Sequence, residues 1–238
     1  MPAATSQSVL DELKPLGQES YKRILLNHGI KEPLYGVKIE HLKKIQKRIK
    51  KDYQLALDLY DTGVYDAMYL AGLIADDEMM TKKDLQHWAE TANSATVCGY
   101  TVPWVAAGSH FGWEMAMKWI DSKKESIATA GWNTLSSLAA LKEDAELDLK
   151  EFQKLLERIT RSIDNQPDKV RLAMNAFIIA TGTYIKSLTT AALTAAKKIA
   201  KVEADMGNTA CKIPDATQYI NKAKERGTIG KKKKTVKC

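Results

Sequence analysis

The sequence has few residues that interrupt helices, since only six prolines and thirteen glycines occur among 238 residues. Both residue types destabilise the interior of an α-helix. The segments between them are mostly rich in Ala, Leu, Lys, Glu and Met, with apolar residues three or four positions apart. That spacing places apolar side chains on one face of a helix. The sequence therefore predicts an all-α chain.

Cysteines and histidines are scarce and scattered. The three cysteines are odd in number and far apart, which fits neither a disulfide framework nor a CxxC metal pair. The four histidines are equally dispersed, and no HExxH or similar ligand spacing occurs. We therefore expect reduced thiols, no metal and no cofactor. The residues concerned are Cys98, Cys211, Cys238, His28, His41, His87 and His110.

Long apolar runs are also missing. No stretch approaches the roughly 20 apolar residues that span a bilayer. Residues 1–12 have neither a basic start nor an apolar segment of the kind that forms a signal peptide. We therefore expect a cytoplasmic protein without a membrane partner.

The helix lengths favour one architecture. About ten helices of ten to eighteen residues, joined by short links, resemble stacked helical pairs more than a four-helix bundle. We predict a HEAT/ARM-like α-solenoid of antiparallel helix pairs, forming one domain over residues 1–221 and favouring a monomer. The predicted helices cover residues 38–50, 55–60, 64–75, 82–93, 101–108, 110–120, 123–141, 147–164, 168–181, 184–202 and 215–225.

Positive charge is concentrated at the carboxyl end. Of the 36 basic and 29 acidic residues, eight basic and one acidic lie in residues 222–238, so the rest of the chain is formally neutral. A short cationic segment attracts phosphates by releasing counterions, and its affinity falls with salt. We interpret residues 222–238 as a basic arm rather than a packed element. Its candidate nucleic-acid contacts are Lys231, Lys232, Lys233 and Lys234.

A second basic surface lies on the helix predicted over residues 38–51. Leu42, Ile45 and Ile49 are spaced to face inward, which leaves the charged residues outside. A face with one sign of charge binds phosphates without reading base sequence. A solvated helix face without a partner is the open alternative. The candidate contacts are Lys43, Lys44, Lys47, Arg48 and Lys51.

The middle of the chain offers a candidate pocket. All five tryptophans fall within residues 88–132, and residues 94–103 and 106–109 are rich in small side chains. Most tryptophans are core residues, but small side chains beside them let a ligand approach closely. The candidate pocket residues are Tyr100, Trp104, Trp113 and Trp132.

Catalytic residues are not identified by any motif. Glu114 lies between Trp113 and Trp119, where burial would suit it to acid–base work, although a surface carboxylate is the ordinary alternative. Tyr100 is the other candidate. Ser109 and His110 are neighbours, but adjacent helical residues point in different directions and do not form a nucleophile pair.

Several segments resemble a known family. They are GVKIEHLKKI at residues 36–45, the tryptophan-containing centre, and WNTLSSLA at residues 132–139. Over most of residues 20–200 the chain resembles the DNA alkylation repair family, whose HEAT-like repeats remove N3- and N7-alkylpurines from DNA. The resemblance implies a basic concave face that holds duplex DNA by its backbone, with Lys43, Lys44, Lys47 and Arg48 suited to that role.

The resemblance also implies a site that this chain has altered. Active family members carry a Trp-Trp-Asp-x-x-Asp-like stretch, and the equivalent segment here is residues 94–103. Ala95 and Thr96 align with the tryptophans, and Tyr100 lies near the catalytic Asp. A further aromatic is replaced by Ala176, and a family arginine falls near Thr134. The glycosylase mechanism does not carry over, because the carboxylate that would stabilise the cationic sugar is missing.

Three hypotheses follow. The first is a family member that binds double-stranded DNA, alkylated or distorted, with base excision doubtful. The second is an active alkylpurine DNA glycosylase that uses non-family residues, drawn from Tyr100, Trp104, Glu114 and Trp132. The third is a helical-repeat module that binds another protein, as α-solenoids often do. Acidic clusters at residues 76–78 and 143–146 would repel DNA, so their positions discriminate among the three.

Overall fold

The protein is described by a computed structural model that covers residues 4–206, 209 and 211–237, so Cys238 lies outside the described residues. Within these residues every regular element is helical and no strand occurs, so the predicted all-α class is confirmed. The α-helices of the described part are α1 Ser6–Leu13, α2 Glu19–Asn27, α3 Ile39–Ile49, α4 Tyr53–Asp61, α5 Tyr65–Ile74, α6 Lys82–Thr91, α7 Val102–Gly108, α8 Gly112–Trp119, α9 Glu125–Leu141, α10 Leu149–Ser162, α11 Asp168–Tyr184, α12 Thr189–Ile199 and α13 Ala216–Glu225.

The helices form two compact units. The first unit holds residues 4–111 together with Thr209 and Lys237, and the second holds residues 112–206 and 211–236. Each unit has its own buried apolar side chains. The boundary predicted between a helical domain and a basic arm, at residues 221 and 222, falls inside α13.

Helix α5 forms the centre of the first unit. All ten of its residues are buried, because its sequence YDAMYLAGLI is apolar apart from Asp66. Helices α3, α4 and α7 pack against it, and so does a π-helical turn, Val97–Thr101, that runs directly into α7. The small side chains of residues 94–103 were expected to leave room for a ligand, but most residues of this turn are buried.

A glycine permits the close packing of α5 against the π-helical turn. A Cβ atom at Gly72 would lie 2.4 Å from the Cγ2 atom of Thr101. Real Cβ atoms do not approach other heavy atoms so closely, so a larger residue would push the two elements apart.

A buried carboxylate fixes the loop that leads into α3. Asp66, on α5, is fully buried, and its two oxygens accept hydrogen bonds from the backbone N–H groups of Tyr35 and Val37 at 2.6 and 2.7 Å. Between these donors, Gly36 adopts a φ of +79°, a left-handed conformation that suits glycine. Asp66 therefore sets where α3 begins, two residues after Val37.

Two 17-residue helices, α9 and α11, pack against each other in the second unit. Aromatic rings join them to α10, because Trp132 lies edge-on to Phe177 at 5.3 Å and Phe177 stacks on Phe152 at 5.4 Å. Helix α8 crosses close to α9 at Gly131, where a Cβ atom would lie 2.7 Å from the backbone N of Ile120.

The helices predicted from residue 38 onward all exist, with shifted ends. Helix α12 begins at Thr189 rather than at residue 184, and α1 and α2 were not predicted at all. In the described part, no single helix is long and apolar enough to cross a bilayer. Only the bent pair Asp168–Tyr184 and Lys186–Ile199, which turns by 115°, passes that test of length and composition when taken together.

Candidate nucleic-acid interface

Helix α3 presents a basic outer face. Leu42 and Ile45 are buried at 2% and 3% exposure, which turns the charged residues of the helix outward. Lys43, Lys44 and Lys47 are exposed, and none of them forms an ion pair with a described residue. Three uncompensated ammonium groups within five residues form a local positive patch.

The other predicted cations of this surface are compensated or displaced. Arg48 pairs with Glu12 of α1, and Lys51 pairs with Asp76 at 3.0 Å, which raises the pKa of Lys51. Helix α3 ends at Ile49, and Lys50 adopts a φ of +67°, so Lys50 and Lys51 do not continue the helical face. The uncompensated patch is therefore smaller than the one predicted from the sequence.

An aromatic series leads from the core of the first unit to its surface. Tyr65 and Tyr69 of α5 have ring centroids 6.4 Å apart, and Trp104 lies edge-on to Tyr69 at 5.5 Å. The ring centroids of Tyr100 and Trp104 are 6.1 Å apart, and Tyr100 is 58% exposed. Burial raises the pKa of Tyr65 to about 12, so its hydroxyl group stays neutral. Tyr100 is thus an exposed ring on a rigid aromatic base.

Helix α3, which carries the basic face, and the π-helical turn, which carries the exposed ring, both contact the last turn of α5. The side-chain amide of Gln46 on α3 donates to the carbonyl of Leu73 at 3.2 Å. On the π-helical turn, Thr101 packs against Gly72, the preceding residue of α5. Lys47 and Tyr100 are the direct sequence neighbours of Gln46 and Thr101. The carboxyl-terminal half of α3 and the π-helical turn therefore both pack against the last turn of α5.

The four predicted pocket residues are divided equally between the two units. Tyr100 and Trp104 lie in the first unit, whereas Trp113 and Trp132 lie in the second. Trp113 stacks on Phe152 at 5.6 Å, and Trp132 is fully buried. Trp132 is thus a core residue, which corrects its assignment to a pocket wall. Its bulk is needed to fill the interior between α9 and α11.

A cavity of about 830 Å³ lies elsewhere, in the second unit. Its lining includes Arg171, Val202, Asp205, Met206 and Cys211. None of the predicted pocket residues lines this cavity, so it does not correspond to the site expected from the sequence.

The segment that carries Tyr100 supplies no carboxylate for catalysis. Residues 94–108 contain no Asp or Glu. Glu114 is exposed on the first turn of α8, so the buried environment that acid–base work required is missing. In the part of the chain that the structure describes, no group of three or more His, Cys, Asp or Glu side chains is arranged to hold a metal ion.

The acidic clusters at residues 76–78 and 143–146 each contact a lysine of the carboxyl-terminal segment, residues 222–238. In the first unit, Asp77 pairs with Lys237 at 2.7 Å, and the same ammonium group donates to the carbonyl of Ala75 at 3.1 Å. In the second unit, Asp144 pairs with Lys232 at 2.8 Å. Burial raises the pKa of Asp77, and the charge of Lys237 opposes that rise in part.

These ion pairs correct the expectation of an unpacked arm. The side chains of Lys232 and Lys237 are only 10% and 15% exposed. Lys231, Lys233 and Lys234 are exposed, and their binding to nucleic acid stays a prediction. Lys237 and Asp66 were not predicted to have structural roles, because no local pattern in the sequence marks either of them.

A family model described as "DNA alkylation repair enzyme" matches residues 9–220. The chain belongs to this DNA alkylation repair family. The resemblance found in the sequence is thereby confirmed. Two relatives of this alkylation repair chain are the uncharacterized proteins Lin0241 of Listeria innocua serovar 6a and Lmo0209 of Listeria monocytogenes serovar 1/2a. Each is 32% identical over 223 residues, which cover 90% of this chain and 95% of the relative.

A solved structure carries the description "A new family of proteins related to the HEAT-like repeat DNA glycosylases with affinity for branched DNA structures". Its TM-score against this alkylation repair chain is 0.91 at 33% sequence identity, and the match covers 99% of this chain and 100% of that chain. The HEAT-like fold predicted from the sequence is therefore confirmed.

Proposed function

We propose that this alkylation repair family member binds DNA at branch points through backbone contacts from α3 and a stacking contact from Tyr100, without excising bases. The observation that carries the proposal is an uncompensated lysine face on α3 together with an exposed aromatic ring on the π-helical turn, two elements that both pack against the last turn of α5. Lysines hold the phosphates, and the ring takes an unpaired or unstacked base.

The charge pattern supports phosphate binding over protein binding. Lys43, Lys44 and Lys47 have no acidic partner among the described residues, while the nearby acids Glu12 and Asp76 are engaged by Arg48 and Lys51. Lysine ammonium groups without internal partners neutralise phosphates and release the cations condensed on the nucleic acid, which favours nucleic-acid binding at moderate salt.

Tyr100 supports a preference for distorted over regular DNA. A ring that is 58% exposed and rests on a buried tryptophan keeps its orientation while one face stays open. Stacking a base on such a ring contributes about 1–3 kcal/mol and does not depend on which base it is. Regular duplex offers no open base face, whereas branch points do. The solved relative's described affinity for branched DNA agrees with this preference.

The lack of carboxylates in the segment that carries Tyr100 argues against base excision. Losing an alkylated base leaves positive charge on the sugar, and stabilising that charge needs a fixed negative group close to it. Residues 94–108 contain none, and Glu114 is an exposed residue of the second unit.

The binding proposal is tested with a labelled four-way junction and a duplex of matched sequence, titrated by fluorescence anisotropy between about 50 and 200 mM salt. We expect tighter binding to the junction. Replacing Lys43, Lys44 and Lys47 by Gln should weaken binding to both DNAs and reduce the salt slope by about 0.9 for each phosphate that is no longer neutralised. Tyr100→Ala should reduce the preference for the junction and leave the salt slope unchanged.

Arg48→Gln is the matched control on the same helix. It removes the same charge, but Arg48 is already paired with Glu12, so we expect a smaller loss of affinity than for Lys47→Gln. Equal effects of the two substitutions would contradict the assignment of the α3 face. Absence of DNA binding at low salt would remove the proposal and favour a protein partner.

Base excision is tested separately by incubating the protein with methylated DNA and measuring the release of free methylpurines. We expect no release above background. Release that disappears in Glu114→Gln or Tyr100→Phe would instead support an active glycosylase that uses non-family residues.

A further inference from the structure

The carboxyl ends of α9 and α11 lie under the carboxyl-terminal segment of the chain. The last carbonyls of a helix have no partner within it and carry partial negative charge. In α9, the carbonyl of Leu138 accepts from the N–H of Lys142 at 2.9 Å. In α11, the carbonyl of Gly182 accepts from the hydroxyl of Thr189 at 2.9 Å. The carbonyls that follow need other donors.

Residues 230–233 supply those donors. The N–H of Gly230 donates to the carbonyl of Thr183 at 2.8 Å, and the N–H of Lys233 donates to the carbonyl of Ala140 at 2.7 Å. Between them, the ammonium group of Lys232 donates to the carbonyl of Ala139 at 3.0 Å. This segment is therefore fixed to both helix ends by three hydrogen bonds.

Lys232 is an internal counter-ion. Its side chain is 10% exposed and its ammonium lies 2.8 Å from Asp144, one of the acids expected to repel DNA. A phosphate cannot reach this ammonium without displacing the carboxylate and the helix carbonyl. Lys232 thus holds the segment in place rather than presenting its own charge to a ligand.

The remaining lysines of the segment face outward. Lys231, Lys233 and Lys234 are exposed, and none forms an ion pair with a described residue. Lys233 lies over the ring of Tyr184 at 5.6 Å, which limits the directions its ammonium can take. The exposed Lys186 adjoins the segment, because a Cβ atom at Gly230 would lie 3.3 Å from the Cβ atom of Lys186.

We propose that residues 230–234 form a preorganised phosphate-binding site in the second unit, in which Lys186, Lys231, Lys233 and Lys234 contact the backbone of a nucleic acid and Lys232, paired with Asp144, positions them. Binding a phosphate restricts flexible lysine side chains, and this costs free energy. Because the backbone of residues 230–234 is already fixed, part of the cost is present before binding. The proposal rests on DNA binding by this protein and adds a second contact region to the α3 face.

The test uses the double variant Gly230→Val and Asp144→Asn in the full-length protein. Gly230 adopts a φ of +79°, which valine does not tolerate, and asparagine removes the ion pair with Lys232. Because the variant loses one negative charge, electrostatics alone predicts tighter binding to the four-way junction. We expect instead about threefold or greater loss of affinity, because the displayed lysines are no longer held in place.

Amide hydrogen exchange of the free protein gives an independent readout of docking. We expect slow exchange at Gly230 and Lys233 in the natural sequence and fast exchange in the double variant. Gly29→Val is the matched control, because Gly29 has a similar φ of +76° and open space around it, so it imposes the same backbone strain away from the segment. We expect it to leave exchange at Gly230 and Lys233, and DNA affinity, unchanged.

The outcomes separate this proposal from the proposed function. Tighter junction binding by the double variant, or fast exchange at Gly230 and Lys233 in the natural sequence, would overturn the preorganised site while leaving DNA binding by α3 intact. Slow exchange in a protein that binds no DNA would overturn both phosphate-binding roles and leave residues 230–234 as a structural segment.

Discussion

Single side chains decide how the surfaces of this protein are built, and Asp66 is the clearest case in the first unit. It is a fully buried carboxylate whose two oxygens meet two backbone N–H groups in the loop before α3. A buried acid satisfied by main-chain donors fixes the loop conformation, and through it the start of the helix that carries Lys43, Lys44 and Lys47.

Asp66→Asn tests this role. Asparagine has one acceptor oxygen, so its NH₂ group would face one of the two N–H donors and leave that donor unsatisfied. We expect a loss of about 1–3 kcal/mol in the free energy of unfolding, measured by urea denaturation. Asp58→Asn, an exposed acid on α4, is the control and should cost far less. Equal losses for the two variants would contradict the anchoring role of Asp66.

Lys237 gives a prediction with a defined pH dependence. Without its ammonium group, the largely buried charge of Asp77 loses its partner, and the pKa of Asp77, already raised by burial, rises further. An acid whose pKa is higher in the folded than in the unfolded protein lowers stability at pH values above the unfolded-state pKa. It has no such effect at pH values below it. The penalty of Lys237→Met should therefore be largest near pH 7 and fall, below pH 3.8, the ordinary pKa of Asp, to the part due to the lost hydrogen bond with the Ala75 carbonyl.

The measurement is urea unfolding of Lys237→Met at pH 7 and at pH 3.5, against the natural sequence at each pH. We expect a loss of about 1–3 kcal/mol at the higher pH. Lys234→Met is the control, since Lys234 is exposed and has no ionic partner among the described residues. A penalty for Lys237→Met that is independent of pH would show that packing, not charge, explains the loss.

Some helices and turns of this protein pack so closely that only a small residue fits between them. The π-helical turn that carries Tyr100 reaches α5 because Gly72 has no side chain opposite Thr101. If the turn moves, Tyr100 and Trp104 move with it, so the packing of a helix and a turn controls the orientation of the exposed ring.

Gly72→Ala tests this packing. Alanine is the better helix former by about 1 kcal/mol, yet its Cβ atom would overlap the Cγ2 atom of Thr101. We expect the overlap to win, with a net loss of about 1–2 kcal/mol in thermal unfolding. Thr101→Ser removes that methyl group, so the double variant should recover most of the loss. Additive losses in the double variant would mean that the two residues do not meet.

Charge on the whole molecule is divided between the body, residues 1–221, and the carboxyl-terminal segment, residues 222–238. The body is formally neutral, and its acidic clusters at residues 76–78 and 143–146 meet Lys237 and Lys232 of that segment. The net charge of +7 is therefore not carried by a free arm. Part of the segment neutralises the protein's own acids, and the rest is displayed.

Deleting residues 227–238 should weaken DNA binding and flatten its dependence on salt. The deletion removes the three displayed lysines Lys231, Lys233 and Lys234, and it leaves Asp77 and Asp144 unneutralised. Salt titrations of junction binding would measure both effects, with the slope falling by about 0.9 for each phosphate that the segment had neutralised. An unchanged slope would mean that the segment does not touch DNA.

Sequence alone determined the fold class, the family and the position of most helices. Helical periodicity and the scarcity of proline and glycine are local properties, so α3 to α13 could be predicted without knowing what they pack against. Helices α1 and α2 were not predicted, although they are as long as α8 and α4, which were. The small residues of the π-helical turn suggested room for a ligand, whereas they allow close packing.

The tertiary structure decided which basic side chains have an acidic partner and which are displayed to solvent. On the sequence, Lys43 and Arg48 look equivalent, as do Lys231 and Lys232. Folding brings Glu12 to Arg48 and Asp144 to Lys232 from distant positions of the chain. Whether a lysine is a ligand contact or an internal counter-ion depends on what lies within about 4 Å of its ammonium group, and that is set by packing between distant segments. The same reason explains why Asp66 and Lys237 could be found only in the folded protein.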